Sequence, residues 1–146
     1  MNKNMPNVYN LIQELSWYFG NQGFSGDSCC EDLSLIEFMA LKKVYENTSI
    51  TILEIGNELN ITKSGVSKIV NRIEKKGYII RVQSLVDGRV CCVKITDKGK
   101  EVIGKIEEKY IDYIGEMLNG IDSETVDSIK ISLEILVNSV HTQGYI

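Results

Sequence analysis

ITKSGVSKIVNRIEKKG is the sequence of residues 61–77, and its spacing decides the fold. Apolar residues recur at positions 66, 69, 70 and 73, which is the spacing of one buried helix face. The opposite face carries polar and cationic side chains, namely Lys63, Ser64, Ser67, Lys68, Asn71, Arg72 and Lys75. A short helix that is apolar on one side and basic on the other suits a groove lined with phosphates.

Three helix starts are predicted, two before this stretch and one inside it. Ser34 with Glu37 and Thr51 with Glu54 have the spacing of capping boxes, and Thr62 is a third candidate N-cap. The predicted helices cover residues 35–46, 52–59 and 63–76. Because only three residues separate the last two, they predict a helix-turn-helix, whose second helix would enter the major groove of DNA.

A β-hairpin is predicted directly after the helix-turn-helix. Gly77 stands where a left-handed residue commonly ends a helix, and residues 78–83 and 90–95 are rich in β-branched side chains. The segment between them contains Asp87 and Gly88, a pair that favours tight turns. A helix-turn-helix followed by a hairpin is a winged helix, so the predicted fold class is mainly α with a small β-hairpin wing.

Apolar stripes flank this lobe on both sides. Residues 8–19 carry one helical stripe, and a second recurs at positions 103, 106, 110, 113 and 117. A third recurs at positions 126, 129, 133, 136 and 140, in a helix whose predicted N-cap is Asp122. A winged helix of this size does not need so much apolar surface for its own core, so the excess predicts a subunit interface.

Charge is distributed unevenly along the chain. The formal net charge is −4, but residues 61–98 hold nine Lys/Arg and three Asp/Glu, a net charge of +6 against −10 for the remainder. This asymmetry favours an electrostatic contact with nucleic acid that is confined to one lobe. No apolar run approaches the ~18 residues of a membrane span, and residues 1–20 lack the pattern of a secretion signal. The sequence therefore predicts a cytoplasmic protein with no membrane partner.

No catalytic arrangement is evident in the sequence. The chain has no glycine-rich phosphate loop, no ligand spacing typical of an enzymatic metal site, and a single histidine, His141. We therefore expect neither an enzyme nor a bound cofactor or metal, and we interpret His141 as a surface residue.

The predicted wing has a specific signature, in which the Asp-Gly-Arg of residues 87–89 precedes a strand and then the Thr-Asp-Lys-Gly of residues 96–99. With this signature, residues 33–99 resemble at motif level the multiple-antibiotic-resistance regulator (MarR) family of transcription factors. The segment 72–81 also looks like the family's end of the recognition helix and its first wing strand. Gly88 departs from the pattern, because the family often has a second basic residue there.

The resemblance implies a single domain over residues 1–146. It places a winged helix-turn-helix lobe at 33–99 and dimerisation helices at 1–32 and 100–146. It also implies a homodimer that binds double-stranded DNA at a pseudo-palindromic operator and acts as a repressor.

The resemblance further assigns roles to single residues. The polar face of the recognition helix would meet the major groove, Arg89 would reach the minor groove, and Asp87 would orient the wing arginine. A small amphipathic or phenolic effector would enter a cleft between the dimerisation helices and the winged helix. Trp17, Tyr18 and Phe38 are candidates for that cleft, although core packing explains them equally well.

Two alternatives stay open. The cysteines form the pairs Cys29-Cys30 and Cys91-Cys92, and thiolates bind soft metals, so Cys29 and Cys30 would suit a thiol- or metal-responsive regulator of the same fold. Four inert thiols are the simpler interpretation, because the chain has no Cys-x-x-Cys motif. The other alternative is a winged-helix protein-interaction module that does not bind DNA.

Overall fold

The computed structural model describes residues 1–20, 32–83, 86 and 88–144, and within them the chain forms six helices and three short strands. In chain order these are α1 (Met5–Tyr18), α2 (Leu35–Glu46), β1 (Ile50–Thr51), α3 (Ile52–Glu58), α4 (Lys63–Lys75), β2 (Ile79–Gln83), β3 (Cys91–Ile95), α5 (Asp97–Met117) and α6 (Ser123–Thr142). The predicted fold class is confirmed, since α3 and α4 form the helix-turn-helix and β2 and β3 form the wing.

Capping boxes start α2 and α3 where the sequence predicts them. The hydroxyl of Ser34 accepts a hydrogen bond from the backbone N–H of Glu37, whose carboxylate accepts one from the N–H of Ser34 at 3.1 Å. Thr51 and Glu54 repeat the arrangement, with the return bond at 2.8 Å. These bonds satisfy N–H groups that the first turn of a helix leaves without partners.

The turn between α3 and α4 is close-packed. The N–H of Ile61 donates to the carbonyl of Gly56 at 2.8 Å, and Asn60 adopts a left-handed φ of +53°. A Cβ at Gly56 would lie only 3.2 Å from the carbonyl oxygen of Ile61, so a residue without a side chain suits this position. Thr62 then caps α4 by accepting a hydrogen bond from the N–H of Gly65 at 3.1 Å.

The sheet has the strand order β1-β3-β2, and both pairings are antiparallel. Val93 is the central residue, paired with Ile50 on one side and Arg81 on the other. The two arms of the wing begin at Ile79 and Cys91, one residue later than predicted. β1 has no counterpart in the prediction, because two residues are too short to show an alternation.

The core lies between α2, α4, the sheet and the first half of α5. All four apolar positions predicted for the buried face of α4 are buried: Val66, Ile69, Val70 and Ile73. They pack with Leu41 and Val44 of α2 and with Ile103 and Ile106 of α5. Burying each such side chain contributes roughly 1.5–3 kcal/mol, so this cluster fixes how α4 sits on the body of the lobe.

The flanking helices leave their apolar stripes exposed in the single chain. α1 begins at Met5, earlier than the predicted stripe, because Pro6 fits the first turn of a helix. Among the described residues, neither α1 nor α6 buries a single side chain. The buried residues of α5 end at Ile106, in its first half. In the part of the chain that is described, no helix is long and apolar enough to cross a membrane.

Candidate nucleic-acid interface

The outer face of α4 collects the polar residues that the sequence singled out. Six of them are exposed: Lys63, Ser64, Lys68, Asn71, Arg72 and Lys75. Ser67 is half-buried, and its hydroxyl donates to the carbonyl of Lys63 at 2.9 Å. Because the four cations stand on the side opposite the buried seam, the helix presents a positive surface on a fixed base.

A side chain from the wing joins this face. Nε of Arg81 lies 3.3 Å from Oε2 of Glu74, and its guanidinium also donates to Oδ1 of Asn71. The amide oxygen of Asn71 is therefore engaged, and its NH2 group is the part that can donate to a base. Arg81 is absent from the predicted contact residues, although strand alternation with the buried Ile79 places it on the side of β2 that faces α4.

The wing tip projects into solvent. Val86 is 98 % exposed, and Gly88 and Arg89 are also exposed. An arginine at such a tip has the reach and the charge for a narrow minor groove. Asp87 lies outside the described residues, so its predicted role in orienting the wing arginine stays a prediction.

A cavity of about 700 Å³ separates the end of α1 from α2 and α5. Its lining is mostly apolar and consists of Ser16, Phe19, Gly20, Leu35, Phe38, Met39, Lys42, Ile106, Glu107, Tyr110 and Ile111. Nζ of Lys42 lies 3.8 Å from Oε1 of Glu107, and both side chains are partly exposed. A largely apolar pocket with one ion pair suits a small amphipathic molecule.

The three predicted cleft residues occupy different places. Phe38 lines the cavity, whereas Trp17 and Tyr18 do not. Trp17 is 69 % exposed, and the hydroxyl of Tyr18 is hydrogen-bonded to that of Tyr113. The reason is helical spacing, since each residue turns about 100° from the previous one. α1 therefore presents Ser16 and the residue after its end, Phe19, to the cavity instead.

The cysteines that are described do not form a metal site. Cys91 is half-buried and Cys92 is buried, on opposite faces of β3. Within the described ranges there is no group of three or more Cys, His, Asp or Glu side chains that would hold a metal ion. Cys29 and Cys30 lie outside those ranges, so a thiol response through them stays a prediction.

One carboxylate beneath the interface carries a shifted pKa. Although its burial acts to raise the value, hydrogen bonds from Lys76 and from the N–H of Ser34 hold the pKa of Glu37 below its usual range. Glu37 is therefore charged at neutral pH, and its negative charge lies behind the basic face of α4.

Residues 33–91 match the family model described as "MarR family". Among curated proteins, the uncharacterised HTH-type transcriptional regulator YkoM of Bacillus subtilis is 26 % identical over 98 residues. That alignment covers 67 % of this chain and 64 % of YkoM, so the chain spans less than two thirds of the relative's length.

Solved structures share the fold. A MarR family protein from Bacillus stearothermophilus superposes with a TM-score of 0.78 at 22 % identity, covering 97 % of this chain and 99 % of the other. FabT from Streptococcus pneumoniae, solved in complex with DNA, superposes with a TM-score of 0.68 at 22 % identity, covering 97 % and 96 % of the two chains. At these identities the likeness is one of fold.

Proposed function

We propose that this chain is a winged helix-turn-helix transcriptional regulator of the MarR family, whose model matches residues 33–91, and that it binds specific sites on double-stranded DNA. The observation that carries the proposal is the outer face of α4, where four cations stand opposite a fully buried apolar seam. Lysine and arginine release counterions when they neutralise phosphates, and arginine and asparagine also contact base edges. In this proposal α4 lies in the major groove and Arg89 at the wing tip reaches the minor groove.

A homodimer is part of the proposal. The exposed apolar stripes of α1 and α6 support it, because a single chain leaves side chains such as Leu11, Ile12, Leu133 and Leu136 between 44 % and 59 % exposed. Association of two copies through these stripes would bury them. Two-fold symmetry would then place two recognition helices about 34–36 Å apart, matching a pseudo-palindromic operator.

We further propose that the protein is a repressor in the cytoplasm and is released from DNA by a small amphipathic or phenolic effector. The cavity between α1, α2 and α5 is the candidate site, with Phe38 in its apolar wall and Lys42 at its ion pair. α2 also packs against α4 in the core. A ligand that displaces α2 would therefore change the pose of the recognition helix.

Salt dependence tests the DNA-binding proposal. A duplex is first selected by the protein from a random-sequence pool, and its affinity is then measured at several salt concentrations. We expect affinity to fall steeply with salt, and Lys68→Ala to lower the log–log slope by about two units, because each subunit of the dimer loses one phosphate contact.

The matched control for Lys68→Ala is Lys130→Ala, which removes an exposed cation from α6 and should leave the slope unchanged. Affinity that does not vary with salt would contradict DNA binding. It would favour the alternative of a protein-interaction module.

Filling the cavity tests the effector site. Met39 lines the cavity, so Met39→Trp should leave duplex affinity unchanged but require at least about tenfold more effector for release, equivalent to about 1.4 kcal/mol of lost binding. The measurement is release of labelled duplex by a panel of phenols and aromatic carboxylates, with Met39→Leu as the volume-matched control.

The same assay separates the thiol alternative from the ligand proposal. If Cys29→Ser/Cys30→Ser abolishes release by an oxidant while every member of the panel is inactive on the unaltered protein, the regulator is a thiol sensor. Release by panel members that is insensitive to both serine substitutions supports the cavity.

A further inference from the structure

One cation of the basic segment is turned inward. Lys76 is the C-terminal cap residue of α4, and its Nζ lies 2.9 Å from Oε2 of Glu37 on α2. The same ammonium donates to the backbone carbonyl of Asp32. Glu37 is only 5 % exposed, so its partner neutralises a charge that water barely reaches.

The carboxylate of Glu37 has a second role. Its Oε2 also accepts the N–H of Ser34 at 3.1 Å, as the return bond of the capping box that starts α2. One oxygen atom therefore joins the N-terminus of α2 to the C-terminus of the recognition helix. We call the bonds among Asp32, Ser34, Glu37 and Lys76 the α2–α4 clasp.

An outer layer of contacts surrounds the clasp. The hydroxyl of Tyr78, just before β2, donates to Oδ1 of Asp32 at 2.6 Å. Nζ of Lys98 on α5 donates to the carbonyl of Lys76 at 2.8 Å and lies 5.2 Å from the centre of the Tyr78 ring. The end of α4 is thus held from α2, from the start of the wing and from α5.

We propose that Lys76 is a positioning residue for DNA binding, acting through Glu37 to set the direction of α4, and does not itself contact phosphate. This inference rests on the proposed function. Its neighbour Lys75 is exposed on the outer face of α4, whereas Lys76 is half-buried and paired with a buried carboxylate. A charge already neutralised inside the protein releases no counterion from DNA, although its loss would let the helix end move.

Adjacent lysines provide the test. On the selected duplex, Lys75→Met should lower the salt slope by about two units, one for each subunit of the dimer. Lys76→Met should weaken binding by about tenfold or more at every salt concentration and leave the slope unchanged. If Lys76→Met instead lowers the salt slope by about two units, as Lys75→Met should, the inference is overturned.

Replacing Glu37 should change DNA affinity in opposite directions, depending on whether Lys76 contacts phosphate or positions α4. Glu37→Gln removes a negative charge from behind the interface, so it would strengthen DNA binding if Lys76 were a phosphate contact released from its partner. If Lys76 positions α4, Glu37→Gln should weaken binding to a similar degree as Lys76→Met. The Glu37→Gln/Lys76→Met double variant should then be no weaker than the poorer single variant, because both remove one interaction.

Variants that keep the charge or the packing serve as controls for a loss of folding. Lys76→Arg keeps the pair and should bind within about twofold of the unaltered protein. Tyr78→Phe keeps the ring and removes the hydroxyl bond to Asp32, so it should weaken binding with an unchanged slope. If Lys76→Met fails to fold, these two variants and Glu37→Gln decide the question, and Tyr78→Phe binding that equals the unaltered protein counts against the clasp. If the proposed DNA binding itself were wrong, neither Lys68→Ala nor Lys75→Met would change the salt slope. That outcome is distinct from a failure of the role proposed for Lys76.

Discussion

Replacing Leu133 and Leu136 of α6 with glutamate should leave the protein monomeric at micromolar concentration and weaken its binding to a selected duplex by roughly 100- to 10 000-fold. Both side chains lie on the apolar stripe of α6 and are 50 % and 44 % exposed in the single chain. In the proposed dimer they are covered by the second copy, so two carboxylates there would be buried without partners. Sedimentation equilibrium measures the mass, and titration of labelled duplex measures the affinity.

The loss of affinity follows from the loss of linkage between two binding lobes. In a dimer, binding of one recognition helix holds the second close to its half-site, so the second contact forms at a high effective concentration. A monomer with intact α4 and wing keeps its contacts to one half-site and loses that advantage. We therefore expect the salt slope of the monomer to fall to about half, since about half of the phosphates are contacted.

Lys130→Glu is the matched control for this double variant. It changes the net charge by the same two units on the same helix, at an exposed residue whose Nζ lies 3.7 Å from Oε1 of Glu134. Exposed pairs of this kind contribute about 0–1 kcal/mol, so mass and affinity should be retained. A Leu133→Glu/Leu136→Glu protein that still sediments as a dimer would show that the α6 stripe is not the interface.

Gly99→Ala should destabilise the protein by about 3 kcal/mol, a large part of the 5–15 kcal/mol typical of a domain. Gly99 lies in the first turn of α5, where the chain passes directly over the start of the wing. A Cβ at this position would lie 2.2 Å from the carbonyl oxygen of Tyr78 and 2.7 Å from Cγ1 of Ile95. The same carbonyl accepts the N–H of Thr96 at 3.0 Å, so the backbone has little room to move away.

Gly104→Ala, on the same helix, should have the opposite effect on the stability of the protein. A Cβ at Gly104 meets nothing within 4 Å among the described atoms, and alanine has a higher helix propensity than glycine by about 1 kcal/mol. We therefore expect Gly104→Ala to stabilise the protein in chemical denaturation and Gly99→Ala to destabilise it. Equal effects of the two substitutions would refute the close approach of α5 to Tyr78.

Much of the fold could be predicted because its decisive signals are local. A capping box places Ser34 and Glu37 within one turn, so the start of α2 follows from residues that are neighbours in sequence. The buried seam of α4 follows from helical spacing for the same reason. β1 could not be predicted in this way, because Ile50 and Thr51 are a strand only through their pairing with Val93 and Cys92.

The candidate interface could likewise be predicted only where its signals are local in sequence. The outer face of α4 follows from its sequence, because helical spacing alone separates its polar side from its buried seam. The contact of Lys76 with Glu37 joins residues 39 positions apart, and that of Arg81 with Asn71 joins a strand to a helix across the turn between them. Two adjacent lysines look alike in a sequence, and only the packing of α2 against α4 separates an outward Lys75 from an inward Lys76.

Thr51 belongs to a strand and caps a helix at the same time. It is the last residue of β1, paired with Cys92, and its hydroxyl is also the N-cap of α3. There is thus no spare backbone between the wing's sheet and the first helix of the helix-turn-helix. A single inserted residue between Ile50 and Ile52 would have to break either the strand pairing or the cap, so we expect changes of length in related chains to be excluded from this junction and to accumulate at the wing tip instead.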